Sequence, residues 1–139
     1  MYRYLVNPQL DFDQVLALYQ AVGWTNYTDQ PDRLRQGLNQ SLYVLACMDQ
    51  DRLVGLLRCV GDGATIIFIQ DILVLPDYQR QGIGTELLSQ TLATYSKVYQ
   101  MHLCTDDTAK TRAFYESMGF VDLNDWQCLT YTYAPENNQ

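Results

Sequence analysis

The sequence is short of positive charge and of long apolar runs. Its 139 residues include 9 Lys and Arg against 16 Asp and Glu, a formal net charge of −7. Nucleic-acid binding depends on Lys and Arg that neutralise phosphates, so this balance argues against a nucleic-acid partner. No apolar stretch approaches the roughly 20 residues of a membrane-spanning helix, and the start lacks the basic and apolar blocks of a signal peptide. We therefore expect a cytoplasmic protein without a membrane partner.

Histidine and cysteine are equally scarce. His102 is the one histidine, and we expect it to lie in a strand. The cysteines form no CxxC spacing and no pair with the histidine: Cys47, Cys59, Cys104 and Cys128. These absences predict no metal site and no disulfide framework, but reduced cysteines that pack as small apolar side chains.

The length fits a single domain over residues 1–139, with a polar tail at residues 136–139 that we expect to fray. Helical spacing of apolar residues predicts helices over residues 13–22, 31–39, 83–95 and 109–118. Runs of β-forming residues predict strands over residues 42–48, 53–60, 65–74, 98–104, 120–122 and 127–133. This order predicts an α/β fold with a mixed sheet.

Residues 71–88 are the most informative segment. A buried strand ends before Pro76, and a short loop with the spacing Gln79-x-x-Gly82-x-Gly84 leads into an amphipathic helix. Free N–H groups at a helix start, together with the helix dipole, form an anion site. The two glycines let the backbone approach an anion closely, and Arg80 adds a mobile positive charge. A pyrophosphate group is the ligand that this junction would suit best.

The glycine motifs of two common nucleotide-binding loops do not match this segment. A GxxxxGK[ST] loop fails because Gly84 is followed by Thr85 and Glu86. The dinucleotide fingerprint GxGxxG fails because Leu87 takes the place of the third glycine. A plain glycine-softened turn remains open for the glycines alone. The full spacing, directly after a strand that ends at Pro76, is more specific than the glycines.

With these residues in place, the sequence resembles the GNAT superfamily of acyl-CoA-dependent N-acyltransferases. Its central motif is Arg/Gln-x-x-Gly-x-Gly/Ala at this junction, and a second feature, an aromatic-Tyr pair followed by Gly-Phe, is matched by residues 114–120. The resemblance covers most of residues 2–133. It implies an α+β fold whose mixed, mostly antiparallel central sheet has one splayed strand pair and about four flanking helices. Residues 19–27 also look like a small bacterial subgroup loosely similar to plastid arylalkylamine acetyltransferases.

The resemblance further implies acetyl-CoA as co-substrate and no metal. Its pyrophosphate would bind backbone groups of the loop and the helix start: Gln79, Arg80, Gln81, Gly82, Ile83, Gly84 and Thr85. Its pantetheine arm would pair with the preceding strand: Ile72, Leu73 and Val74. Such pairing requires a slot between Val74 and Leu103. The family's Asn that contacts pantetheine has no match, because the corresponding helix start offers Asp106, Asp107 and Thr108.

By the same resemblance, the expected reaction is direct acetyl transfer to a primary amine within a ternary complex. Tyr115 matches the family's general acid, a phenol of ordinary pKa near 10 that protonates the departing sulfur. Its alternative role is aromatic packing on the sheet. Asp71 is the nearest carboxylate to serve as a base. Strand alternation sends it to the opposite face from Gln70 and Ile72, so it misses the cleft unless a bulge turns it.

Acceptor contacts would come from residues 23–31, between the first two predicted helices. Trp24 and Tyr27 could wall a pocket for an apolar or aromatic amine, or could simply pack over the sheet. Residues 61–139 carry 10 acidic and 4 basic side chains, which favours a cationic acceptor. A non-catalytic acyl-CoA sensor or partner subunit, and a purely structural domain, are the alternative functions. Exposed strands near the C-terminus could also pair two copies in a homodimer.

Overall fold

The fold is described from a computed structural model, which covers residues 1–135. The tail predicted at residues 136–139 lies outside the described residues. The chain divides into two compact units, Met1–Cys104 and Thr105–Gln139. In the described part, no helix is long and apolar enough to cross a bilayer.

The first unit is a five-stranded sheet with four helices. Its strands are β1 (Arg3–Val6), β2 (Tyr43–Asp49), β3 (Arg52–Gly61), β4 (Ile66–Val74) and β5 (Gln100–Leu103). Its helices are α1 (Phe12–Ala21), α2 (Thr25–Thr28), α3 (Pro31–Asn39) and α4 (Ile83–Thr94), with a 3-10 turn at Pro76–Tyr78. The strands lie in the order β1-β2-β3-β4-β5, and all neighbours are antiparallel except the parallel pair β4 and β5. The mixed, mostly antiparallel sheet is therefore confirmed.

Strands β4 and β5 separate part-way along their length. Their parallel ladder ends where Ile69 lies opposite Leu103, although β4 continues to Val74. On its other edge β4 stays paired with β3 as far as Val74, which lies opposite Gly55. One edge of the last five residues of β4 is thus left without a strand partner in the described chain, which is the predicted splayed pair.

A β-bulge marks the point where the two strands separate. Arg58 of β3 lies opposite Asp71, whereas the next residue, Cys59, lies opposite Ile69. Gln70 is therefore the extra residue on β4. A bulge shifts the alternation of side chains and peptide groups by one residue, so the faces to which they point change between the first and the last part of β4.

Helices α1 and α4 cover opposite faces of the sheet. A Cβ added at Gly55 would lie 3.0 Å from Ile83 and 3.5 Å from Leu87, so this face of β3 packs against α4. Arg58 lies three residues further along β3 and so points to the other face, where its partner Asp71 contacts Tyr19 of α1. The core between these layers is made of fully buried aliphatic side chains, among them Val15, Leu45, Leu56, Leu57, Leu87 and Leu88.

The second unit contains one helix, α5 (Ala109–Ser117), and a 3-10 turn at Leu123–Trp126. The Thr108 hydroxyl accepts the N–H of Thr111 at 3.2 Å and caps α5. At the other end Gly119 takes φ +96°. The Phe120 N–H then donates to the Tyr115 carbonyl at 3.0 Å, a C-terminal closure that confirms the predicted stop.

Two strands predicted in this second unit are wrong. Within the described residues no strand forms at 120–122 or 127–133. The Asp122 carboxylate instead accepts the N–H of Asn124 and starts the 3-10 turn, and Gln127 takes φ +58°, which breaks an extended run. Alternating β-forming residues do not make a strand unless a neighbour pairs with their backbone.

Two short elements of the first unit escaped prediction. Strand β1 has four residues and α2 a single turn, too few for either period to appear. The cysteine prediction holds for Cys47 and Cys59, which are buried, and fails for Cys104 and Cys128, which are exposed. All four are free.

Candidate active site

The loop between β4 and α4 presents a row of backbone N–H groups without acceptors. The Gln79 N–H donates to the Pro76 carbonyl at 3.3 Å, and the Glu86 N–H donates to the Gly82 carbonyl at 3.0 Å. Between them, the six N–H groups of residues 80–85 meet no acceptor within the described chain. A run of unpaired N–H groups at a helix start is an anion-binding feature.

The shape of this loop depends on two left-handed residues. Arg80 has φ +65° and Gly82 has φ +83°, and Gly82 is the N-cap of α4 without a side-chain cap. A Cβ added at Gly82 would meet no protein atom within 4 Å, so it would stand in the open space in front of the loop. The absence of a side chain keeps that space free for a ligand.

Side chains of the loop brace it without using those N–H groups. Gln79 donates its side-chain amide to the Val74 carbonyl at 3.1 Å. The side-chain oxygen of Gln81 accepts from the Tyr2 hydroxyl. The Ile83 side chain is buried in the core, while Arg80 and Thr85 are exposed. The candidate pyrophosphate residues thus lie together, with backbone groups available and side chains largely committed elsewhere.

The open edge of β4 leads directly into this loop. The Leu75 N–H donates to the Val54 carbonyl of β3 at 2.9 Å. Because peptide groups alternate along a strand, those of Leu73 also face β3, whereas those of Ile72 and Val74 face the open edge. Of the three residues expected to pair with pantetheine, Ile72 therefore has its N–H and carbonyl on the open edge, whereas Val74 has its N–H there and a carbonyl that already accepts from the Gln79 side chain.

Asp71, the candidate base, is enclosed by donors. Its side chain is 2% exposed. Its Oδ2 accepts from Arg58 Nε at 2.8 Å and from the Tyr19 hydroxyl at 2.7 Å, and its Oδ1 accepts from the Tyr27 hydroxyl at 3.0 Å. These hydrogen bonds and the charge of Arg58 favour a positioning role for Asp71, in which it holds its neighbours in place, over a role as the base that takes a proton from a substrate.

The pKa shifts of the neighbours agree with this electrostatic picture. Burial works against the charge of Arg58, but the adjacent Asp71 carboxylate outweighs it and raises the guanidinium pKa. Burial raises the pKa of Tyr19 well above the ordinary value, and Asp71 raises it further. Arg58 is therefore a permanent cation and Tyr19 a permanent neutral donor.

The two candidate acceptor residues belong to an aromatic cluster. The rings of Tyr19 and Tyr27 have centroids 5.1 Å apart, and Trp24 meets Tyr19 edge-on at 5.9 Å. The Tyr27 hydroxyl also accepts from the Gln70 side chain at 3.2 Å. Tyr27 is thus tied to the bulge where β4 leaves β5, whereas Trp24 packs within the cluster.

Tyr115, the candidate acid, lies on α5 in the second unit. Its ring packs between Phe114, at 4.9 Å between centroids, and Phe120, at 5.8 Å. Burial raises the pKa of its phenol, and a hydrogen bond with Thr105 opposes part of that shift. The phenol is therefore protonated at neutral pH, as a proton donor must be.

Two of the three residues at the place of the family's pantetheine-binding Asn serve α5 itself. Asp107 pairs with Arg112 at 2.7 Å, and Thr108 caps the helix. Both side chains are engaged in structural contacts within the second unit.

Sequence reasoning missed Tyr19, Arg58 and Gln70 as parts of the site. Arg58 carried a usable signal, since it is the one charged residue inside the apolar β-forming run of residues 53–60. A charge in a buried strand needs a partner, and Asp71 on the next strand is the opposite charge. Tyr19 gave no such signal, because its spacing is that of an ordinary apolar helix face.

A family model described as an acetyltransferase (GNAT) domain matches residues 14–129. The chain belongs to the GNAT acetyltransferase family. This confirms the resemblance drawn from the loop motif and the Phe-Tyr pair.

Curated relatives of this GNAT chain carry acetyltransferase names. An uncharacterized N-acetyltransferase ycf52-like from Prochlorococcus marinus is 30% identical over 116 residues, which cover 81% of this chain and 63% of the relative. A histone acetyltransferase, TAP1, from Glycine max is 28% identical over 124 residues, covering 80% and 52%. The chain therefore spans only about half to two thirds of the length of these relatives.

Solved structures match along nearly the whole chain. A GNAT family acetyltransferase from Streptococcus pneumoniae TIGR4 is 41% identical with a TM-score of 0.88, covering 98% of this chain and 99% of its own. An aminoglycoside acetyltransferase from an uncultured soil metagenomic sample, in complex with sisomicin, is 20% identical with a TM-score of 0.69 over 95% of each chain. The second likeness concerns the fold alone. The GNAT fold is confirmed, and the family supports acetyl transfer in general.

Proposed function

We propose that this GNAT chain transfers an acetyl group from acetyl-CoA to a primary amine by direct attack in a ternary complex. One observation carries the proposal: the open edge of β4 is followed, after the 3-10 turn at Pro76–Tyr78, by six unpaired N–H groups at residues 80–85. An amide-rich arm followed by a pyrophosphate has the same two parts in the same order. The peptide groups on the open edge of β4 thus complement the amide-rich arm of coenzyme A, and the unpaired N–H groups of the loop complement its pyrophosphate.

The roles in binding follow from these groups. The N–H and carbonyl of Ile72 and the N–H of Val74 pair with the amides of the pantetheine arm. The N–H groups of residues 80–85 bind the pyrophosphate, and the exposed Arg80 side chain adds a full positive charge beside them. Acetyl-CoA supplies the activated thioester. A backbone N–H on the open edge of β4 supports the negative charge that develops on the carbonyl oxygen.

The transfer itself forms one N–C bond and breaks one C–S bond. The amine nitrogen attacks the thioester carbon and loses one proton to water, the departing sulfur gains one from its proton donor, and that donor regains one from water, so charge and atoms balance. Tyr115, by its match to the family motif, donates the proton to sulfur, and burial keeps its phenol protonated. Asp71 is bonded to Arg58 and to the Tyr27 hydroxyl, which supports it as a positioning residue for Tyr27.

Thiol release from acetyl-CoA over a panel of amines, including polyamines, arylalkylamines and amino acids, tests this proposal. We expect Tyr115→Phe to lower kcat by about 10² to 10⁴ while the rise in Tm caused by coenzyme A is kept. Tyr133→Phe, an exposed tyrosine of the same unit, is the matched control and should behave as wild type.

Three results would contradict parts of the proposal. Unchanged turnover in Tyr115→Phe removes that residue from the mechanism. A Tm rise without turnover of any amine favours the non-catalytic acyl-CoA-binding alternative. At a hundredfold excess over Kd, binding should stabilise the protein by about 2.7 kcal/mol, so no Tm rise would refute the coenzyme site.

A further inference from the structure

A cavity of about 220 Å³ lies in the first unit, beside α2, α3 and β3. Tyr27 is part of its wall, while the neighbouring Trp24 is not. The polar side chains of the wall share the ability to donate hydrogen bonds: Asn26, Tyr27, Gln30, Arg33 and Arg58. Among residues 1–135, no carboxylate lines the cavity.

Arg58 contributes a buried donor that the protein leaves unused. Its side chain is 8% exposed. Its Nε bonds to Asp71, and its Nη1 bonds to the Ser41 hydroxyl at 3.2 Å and the Gly37 carbonyl at 3.4 Å. Within the described residues its Nη2 has no acceptor, and it is not among the fully enclosed unpaired atoms. Nη2 is therefore a free donor on a side chain that lines the cavity.

We propose that this cavity binds the carboxylate of the acceptor, so that the acceptor is an amino acid or a similar amine bearing a carboxylate. The inference rests on the proposed acetyl transfer and names its substrate class. Arg58 offers such a carboxylate its one free nitrogen, Nη2, and Arg33, at the exposed side of the cavity, offers a guanidinium whose planar geometry matches a carboxylate. The amides of Asn26 and Gln30 supply neutral donors to the same group.

Tyr27 connects this cavity to the place where acetyl transfer is proposed. Its side chain lines the cavity, while its hydroxyl bonds to Gln70 and Asp71 at the bulge of β4. Arg58 lies opposite Asp71 at the bulge, whereas Arg33 lies at the exposed side of the cavity. A carboxylate bound at the Arg33 side then leaves the amine of a small substrate toward Tyr27 and the bulge. The modest volume suits an acceptor the size of an amino acid rather than a large antibiotic.

Pairs of acceptors that differ only in the carboxylate give the direct test: phenylalanine against phenethylamine, and lysine against cadaverine. In the pair that the enzyme acetylates faster, we expect the amino acid to have a kcat/KM at least about tenfold above that of its decarboxylated partner. A site built to bind a polar group leaves its own donors unpaired when the substrate lacks that group.

Two arginines of α3 provide a matched pair of variants. Arg33 lines the cavity, whereas Arg35 stacks over the Phe12 ring at 4.1 Å and is not part of the wall. Arg33→Gln should raise KM for the amino acid about tenfold with kcat unchanged, and should leave the decarboxylated amine unaffected. Arg35→Gln should match wild type. Arg58 is left unaltered because its ion pair with Asp71 is buried.

The outcomes separate this inference from the proposed function. Equal kcat/KM for both members of every pair, or equal effects of Arg33→Gln and Arg35→Gln, overturns the carboxylate site while leaving acetyl transfer intact. Calorimetric titration of N-acetylphenylalanine needs no turnover. Binding that Arg33→Gln weakens about tenfold, without acetylation of any amine, would support the site and refute the enzyme.

Discussion

Asp71→Asn is the substitution that tests the centre of the site most sharply. The carboxylate receives three hydrogen bonds, from Arg58, Tyr19 and Tyr27, and is 2% exposed. An asparagine amide has one oxygen and one NH₂ group. Either orientation places the NH₂ against at least one of the present donors, and the positive charge of Arg58 stays buried without a counter-charge.

Removing one partner of a buried ion pair costs about 3 to 5 kcal/mol. Domains of this kind are stable by about 5 to 15 kcal/mol in total, so the variant should retain only a fraction of its stability. Urea unfolding should show a lower midpoint with an unchanged m value. The double variant Asp71→Asn with Arg58→Met should recover part of the loss, because no unpaired charge then remains buried.

Asp107→Asn is the control, since its ion pair with Arg112 is exposed, with side chains 79% and 50% accessible. No measurable change in the midpoint is expected there. A loss below about 1 kcal/mol for Asp71→Asn would refute the buried network, because exposed pairs are worth no more than that. Full turnover in the folded Asp71→Asn variant would exclude Asp71 as the base.

Three further outcomes are expected. Gly82→Ala should cost about 1 kcal/mol of stability, because φ +83° is left-handed, and should reduce the Tm rise caused by coenzyme A, because its Cβ enters the ligand space. Only the two exposed cysteines should react with an aromatic disulfide near pH 8 in the native protein, since burial raises the pKa of Cys59 to about 12. The two buried thiols should react only after denaturant is added, and fast reaction of all four thiols in the native protein would contradict this. Hydrogen bonds from the Thr65 side chain and the N–H groups of Ala64, Thr65 and Ile66 hold the pKa of Asp62 below its usual range. A carboxylate with a lowered pKa stabilises the fold at pH values above its unfolded pKa near 4, and this stabilisation is lost as pH falls below that value. Asp62→Asn should therefore flatten the loss of stability in acid-unfolding curves below about pH 4.

The local features of this protein could be predicted from its sequence. The sequence predicts the start of α4 at Ile83 and the loop of residues 79–84, and the structure confirms both elements. Glycine spacing, proline and apolar periodicity act over a few residues, so their consequences do not depend on distant parts of the chain. The same loop carried the family resemblance. Short elements such as β1 and α2 have too few residues to show a period, so the sequence did not predict them.

Long-range pairing was decided only by the tertiary structure. Residues 127–133 have a strand-like pattern but no paired neighbour within the described chain, so no strand forms there. The ion pair of Arg58 and Asp71 depends on the register of β3 against β4, which the bulge at Gln70 shifts by one residue. A shift of one residue moves side chains to the other face of a sheet. The shortage of positive charge in the chain gave only the expectation of no nucleic-acid partner, and only the fold could set one buried guanidinium beside a cavity.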